Sequence, residues 1–221
     1  MKATINKNII KRYLIFLIGL FINSLGVSMV TKADLGTSPI SSIPYVLSLH
    51  FSMTIGQFTI IFSILLIILQ IFILRKNFKL ENLLQIPVSI IFGYFIDFTM
   101  LLLKFVNPQT YVTKAIYLLF GCIILGIGVY LEVLANVIML PGESFVSAIV
   151  DTWKTEFGIT KIIFDVSMTV IAALLSFVFI HELNGVREGT IVAALLVGFI
   201  SRTIGKMVSK LNHKSKDTAN S

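Results

Sequence analysis

The sequence predicts an all-α polytopic membrane protein with six transmembrane helices and two short re-entrant half-helices, arranged in two repeats. Three observations predict it: too little charge for a water-facing surface, a series of apolar stretches of membrane-spanning length, and an internal correspondence at a fixed offset. Of the 221 residues, 56 % are apolar and 13 % charged, against roughly 45–50 % and about 25 % in soluble domains. Mean hydropathy is +0.94. The 18 Phe against 1 Trp make the aromatic content hydrocarbon-like, not a stacking platform for bases. The net charge of +7 therefore reads as a topology signal, not as affinity for nucleic acid. Cys122, the single cysteine, excludes an intrachain disulfide and a Cys-rich metal cage.

A helix needs about 20 apolar residues to cross roughly 30 Å of hydrocarbon. Lys2, Lys7, Lys11 and Arg12 precede the first uncharged stretch, 13–31, and no small-residue cleavage site follows it. It is expected to be an uncleaved first helix and not a signal peptide. Pro39 to His50 comes next and is too short to cross. A second uncharged stretch covers 51–74. A third, apolar segment, 83–103, holds Asp97, and a fourth, 115–137, holds Glu132. Pro141 to Trp153 is again too short, since 12 or 13 residues at about 1.5 Å each reach only about 18–20 Å. The fifth span, 162–180, holds Asp165, the sixth, 189–209, holds Arg202, and the polar tail 211–221 is expected to fray. Each short piece begins with proline, which suits the first helical position. Thr37 and Ser38, which follow Gly36, offer hydroxyl caps to the first of them.

Positions i and i+102 match at 11 of 47 places between residues 19 and 65, including Gly19/Gly121, Gly26/Gly128, Pro39/Pro141, Ser42/Ser144 and Gly56/Gly158. A three-residue shift then brings Gly93 onto Gly198 and Asp97 onto Arg202. Glycine and proline mark backbone geometry, not mere apolarity. The chain thus reads as one transmembrane domain with repeats at 12–106 and 114–210. If the short helices enter and leave on one side, each half crosses three times and the second is inverted. Fourteen basic residues then lie inside with both termini, and four (Lys32, Lys104, Lys114, Arg187) outside. If they span, the repeats are parallel with eight crossings and the split is 13 to 5. The charge rule barely separates these models. Helix length and the Arg75, Lys76, Lys79 cluster favour inversion.

The string Ala33-Asp34-Leu35-Gly36-Thr37-Ser38-Pro39, then Thr54-Ile55-Gly56-Gln57, Pro141-Gly142-Glu143, Lys161 to Asp165, and Gly189-Thr190 leading to Gly198 resemble the YczE/YyaS/YitT family of bacterial integral membrane proteins. The resemblance implies a multi-pass protein of the bacterial plasma membrane and no defined reaction. Family members often carry Trp after the first proline, Arg and an acid after the second, and an Arg-x3-Glu pair in the next helix. This chain has Ile40, Gly142-Glu143 and Lys161-x3-Asp165 there.

Ionisable groups inside a crossing are costly and usually face a cavity or a partner. Lys161 and Asp165, four apart, share a helix face and are either a structural ion pair or a solute or proton site. Glu132 has no opposite charge nearby in sequence; it lies near the surface, pairs with Lys161, or carries a proton. Glu143, in the first turn of the second short helix, is explained by the helix dipole alone. Two half-helices entering from opposite sides would also aim their N-termini at the midplane, as in transporters. Thr37, Ser38 and Pro39 then face Pro141, Glu143 and Ser144 across a solute site. Asp97 and Arg202 read as helix-end residues, and His50 and His181 as interfacial groups without metal-ligand spacing.

No phosphate loop, nucleophile elbow or zinc-protease motif occurs, which argues against ATP-driven transport and against an enzyme, and no cofactor is implied. The expected function is a small secondary transporter or permease of the plasma membrane, with a small solute near the midplane, H⁺ or Na⁺ coupling and a homodimer left open. The alternative is a non-transporting membrane accessory or scaffold.

Overall fold

A computed structural model describes the backbone of residues 2–219 and the side chains of residues 9–208. Eight α-helices follow the hydropathy pattern: α1 (Lys2–Lys32), α2 (Pro39–His50), α3 (Ile55–Leu74), α4 (Gln85–Leu102), α5 (Tyr111–Ala135), α6 (Pro141–Trp153), α7 (Phe157–Ile180) and α8 (Glu188–Ala219). Six are long and apolar enough to cross a membrane, and α2 and α6 are the two short ones. The chain is thus an all-α polytopic membrane protein. The tail expected to fray continues α8 to Ala219; its side chains, like those of Lys2 and Lys7, lie outside the described residues. Local chemistry sets the ends. Thr54 with Gln57 and Thr110 with Thr113 form capping boxes at the starts of α3 and α5. Asp34 and Asn136, just past α1 and α5, take left-handed φ of 55° and 46°.

The centre of the molecule is the α1–α5 seam. Gly26 lies against Leu125 and Gly128 against Asn23; Gly19 meets Leu131 and Gly121 meets Val30. A side chain at any of these glycines would overlap the facing helix, so small residues let the backbones approach, as membrane helices require. As residue number rises along α1 it falls along α5, so the two helices are antiparallel. The partners also exchange: 26 and 125 become 128 and 23 when the offset of 102 is applied. The ends obey the same exchange. Arg12 on α1 hydrogen-bonds the carbonyls of Ala135, at 2.8 Å, and of Asn136, whereas Lys114 on α5 pairs with the Asp34 carboxylate.

Around this seam α4 packs on α1 and α8 on α5, while α2 packs on α7 and α6 on α3. Helix starts and ends divide between two faces. One carries the segments 75–84 and 137–157; the far face carries 33–38, 51–54, 103–110 and 181–188.

Candidate functional site

The two short helices meet end to end. Both start on proline, Pro39 and Pro141, at positions whose missing N–H costs no hydrogen bond. The Ile40 side chain occupies the space that a Cβ on Gly142 would need, and the Phe164 ring lies next to it. In this conformation the gap between Pro39 and Pro141 is therefore filled by hydrocarbon.

The hydroxyl caps expected before α2 are not formed. Ser38 is the N-cap residue, yet its side chain makes no capping bond and its Oγ donates instead to Ser41 Oγ at 2.8 Å. Thr37 is fully buried and bonds Thr31 Oγ1 at 2.8 Å. The reason is the turn at 34–36, where Asp34 and Gly36 have φ of 55° and 110°. It folds the chain back over the end of α1 and sets Thr37 against it. Gly36 has no Cβ to oppose either that φ or the close approach of Thr190.

The polar groups that do converge are amides. Gln70 on α3 and Gln85 on α4, both fully buried, exchange amide hydrogen bonds at 3.2 and 3.3 Å. Gln70 also donates to the Pro141 carbonyl at 3.1 Å. Gln85 donates to Ser144 Oγ at 2.9 Å, and that hydroxyl donates to Gln70 Oε1 at 3.0 Å. Three helices are thereby joined at the start of α6. Gln85 and Ser144 also line a recess of about 740 Å³ that opens on the face of segments 75–84 and 137–154, with Lys79, Glu81, Asp151 and Lys154 among its lining. Neither glutamine stood out in the sequence reading, because neither carries charge. An uncharged amide inside an otherwise apolar span was the available signal.

Lys161 Nζ reaches Asp165 Oδ1 at 2.7 Å and lies 5.5 Å from the centre of the Phe164 ring. Glu132 is 8 % exposed and accepts from Asn23 Nδ2 at 2.8 Å, so its hydrogen-bond partner is an amide on α1 and not Lys161. The Glu143 carboxylate makes no hydrogen bond among the described residues and lies within electrostatic range of Lys161, Asp165 and Glu132. These four residues form a loose line of charge beside the meeting point of α2 and α6. Among the described residues no three His, Cys, Asp or Glu side chains approach closely enough to hold a metal. Asp97 turns out to join helices: its carboxylate accepts from Thr54 Oγ1 at 2.7 Å and from the Gly56 N–H at 2.8 Å, binding the end of α4 to the start of α3.

The profile of DUF6198, a family of unknown function, matches residues 10–206. The chain is 28 % identical over 212 residues to the uncharacterized membrane protein YczE of Bacillus subtilis, covering 94 % of this chain and 92 % of that one. It is 29 % identical over 124 residues to the uncharacterized protein YyaS of the same organism, covering 55 % and 60 %. No solved structure matches.

Proposed function

Because the chain belongs to DUF6198, a family of unknown function, its activity has to be argued from geometry, and we propose that it is a small secondary transporter or channel-like permease. The observation that carries this reading is the recess, which runs from one face to buried Gln85 and half-buried Ser144 beside the meeting point of two half-membrane helices. Transporters place solute sites at such half-helix ends, where irregular backbone lines a cavity. The antiparallel α1–α5 pair, with its exchanged contacts at an offset of 102, supports two inverted repeats of three crossings each. The basic cluster Arg75, Lys76, Lys79 then puts the recess, and with it both termini, on the cytoplasmic side of the plasma membrane.

A small solute enters by the recess, exchanges hydrogen bonds with Gln85 and Ser144, and passes the Ile40–Gly142 contact. The Lys161–Asp165 pair, Glu143 and Glu132 supply charge along that path. Buried carboxylates can trade protons, so the arrangement suits H⁺ coupling and, equally, Na⁺. The test is uptake into proteoliposomes across a panel of small anions, cations and neutral metabolites. Asp165→Asn is expected to lower the rate at least about tenfold, equivalent to about 1.4 kcal/mol of barrier. A wild-type rate in that variant makes the pair structural. Uptake no better than in empty vesicles across the panel would favour a membrane scaffold.

A further inference from the structure

The exchange relation that holds along the α1–α5 seam fails in one consistent way at the edges. On the far face the halves are closed. Gly56 of α3 touches the Gly93 carbonyl of α4, and Gly93 meets Ile60. Asp97 binds Thr54 and the Gly56 N–H. The Gly189 N–H, at the start of α8, donates to the Leu35 carbonyl at 2.8 Å, and Gly185 packs against Tyr45 and Val46.

Each of these contacts has a counterpart on the opposite face, at offsets of 102 to 105, and each counterpart is open. Gly158 has only Glu156, the residue just before its own helix, near its Cβ position, and Gly198 has nothing within 4 Å. Arg202 and Glu156, the counterparts of Asp97 and Thr54, form no ion pair among the described residues. Leu84 and Val137, the counterparts of Gly189 and Leu35, are separated by the recess, which both line. So do Asn82, Ser147 and Ala148, the counterparts of Gly185, Tyr45 and Val46.

We infer that this structure is one of two states related by exchanging the conformations of the halves, and that in the other state α8 closes on α7, with Gly198 against Gly158 and Arg202 against Glu156. The recess closes between Leu84 and Val137 in the same step, and the far face opens between Gly189 and Leu35. The residues suit that closure. Two glycines permit a tight crossing, Ile162 stands where Ile60 stands in the closed seam, and Arg202 and Glu156 carry opposite charge with no other ion-pair partner among the described residues. The closure gives the transport proposed above an opposite-facing state, but its test needs no solute.

The experiment places cysteines at Gly158 and Gly198 in a Cys122→Ala background, in the full chain in proteoliposomes. Both positions have room for a side chain here, and a disulfide requires Cα atoms about 4.4–6.8 Å apart. Oxidation is expected to give an intrachain disulfide, identified by mass spectrometry of the linked peptides. Glu156→Arg or Arg202→Glu alone should slow its formation several-fold, and the two together should restore it. The inference is overturned if no disulfide forms although both cysteines react with a maleimide, or if the disulfide links only two copies of the chain. A disulfide without measurable uptake would count against the transporter reading alone, and uptake without a disulfide against the exchange alone.

Discussion

The α3–α4 seam and the α7–α8 pair carry matching glycines, Gly56 and Gly93 in one and Gly158 and Gly198 in the other, yet the first is closed and the second open. What differs is the polar chemistry beside them. The first seam is tied at the far face by Asp97 and at the other end by the Gln70–Gln85 amide pair. At the corresponding places the second pair has Arg202, Ala172 and Thr190. Lipid tails are as apolar as leucine, so two apolar helices gain little by touching unless small residues and hydrogen bonds favour contact. Glycines thus permit a tight crossing, and the polar ties decide whether it is populated.

The largest effect expected from this comparison is steric. Gly56→Val drives a branched side chain into the Gly93 carbonyl and the Asp97 carboxylate and should cost about 3 kcal/mol in detergent-denaturation measurements. Gly158→Val, which meets little, should stay within about 0.5 kcal/mol of wild type. Equal losses would show that the second seam is already closed in the membrane.

Next comes the amide pair. Gln70→Ala puts into the first half the residue type that the second half has at Ala172. It leaves Gln85 without its principal partner and should cost about 2 kcal/mol, the usual scale for stranding a buried polar group. A neutral result would mean that water in the recess replaces the lost amide.

The smallest contrast is at the helix ends. Asp97→Ala removes the acceptor for the Gly56 N–H and the Thr54 hydroxyl and should cost about 1 kcal/mol, whereas Arg202→Ala should change stability by less than about 0.5 kcal/mol. If Arg202→Ala proves as damaging as Asp97→Ala, the two ends are equally engaged and the asymmetry is lost.

Much of this fold was legible in the sequence. The bounds of both short helices, Pro39–His50 and Pro141–Trp153, emerged unchanged, and the repeating glycines marked the seam on which Gly26 and Gly128 meet α5 and α1. The Lys161–Asp165 pair formed as its spacing required. The candidate site was less legible. Ser38 and Thr37 were expected to cap α2 and instead bond Ser41 and Thr31. Gln70 and Gln85, which join α3, α4 and α6, carried no charge to mark them, and Asp97 proved to be a tie between two helices.

Hydropathy, helix capping and glycine spacing act within a single helix, so the sequence by itself determined which stretches are long and apolar enough to span, where the two short helices begin and which faces can approach closely. Hydrogen-bond partners such as Asn23 and Glu132, or Gln70 and the Pro141 carbonyl, lie 109 and 71 residues apart. They depend on how the helices are laid side by side, and only the tertiary structure decided them. It also decided that α3 and α4 are closed on each other while α7 and α8 stand apart, because that choice rests on a few hydrogen bonds between helices and not on their apolar pattern.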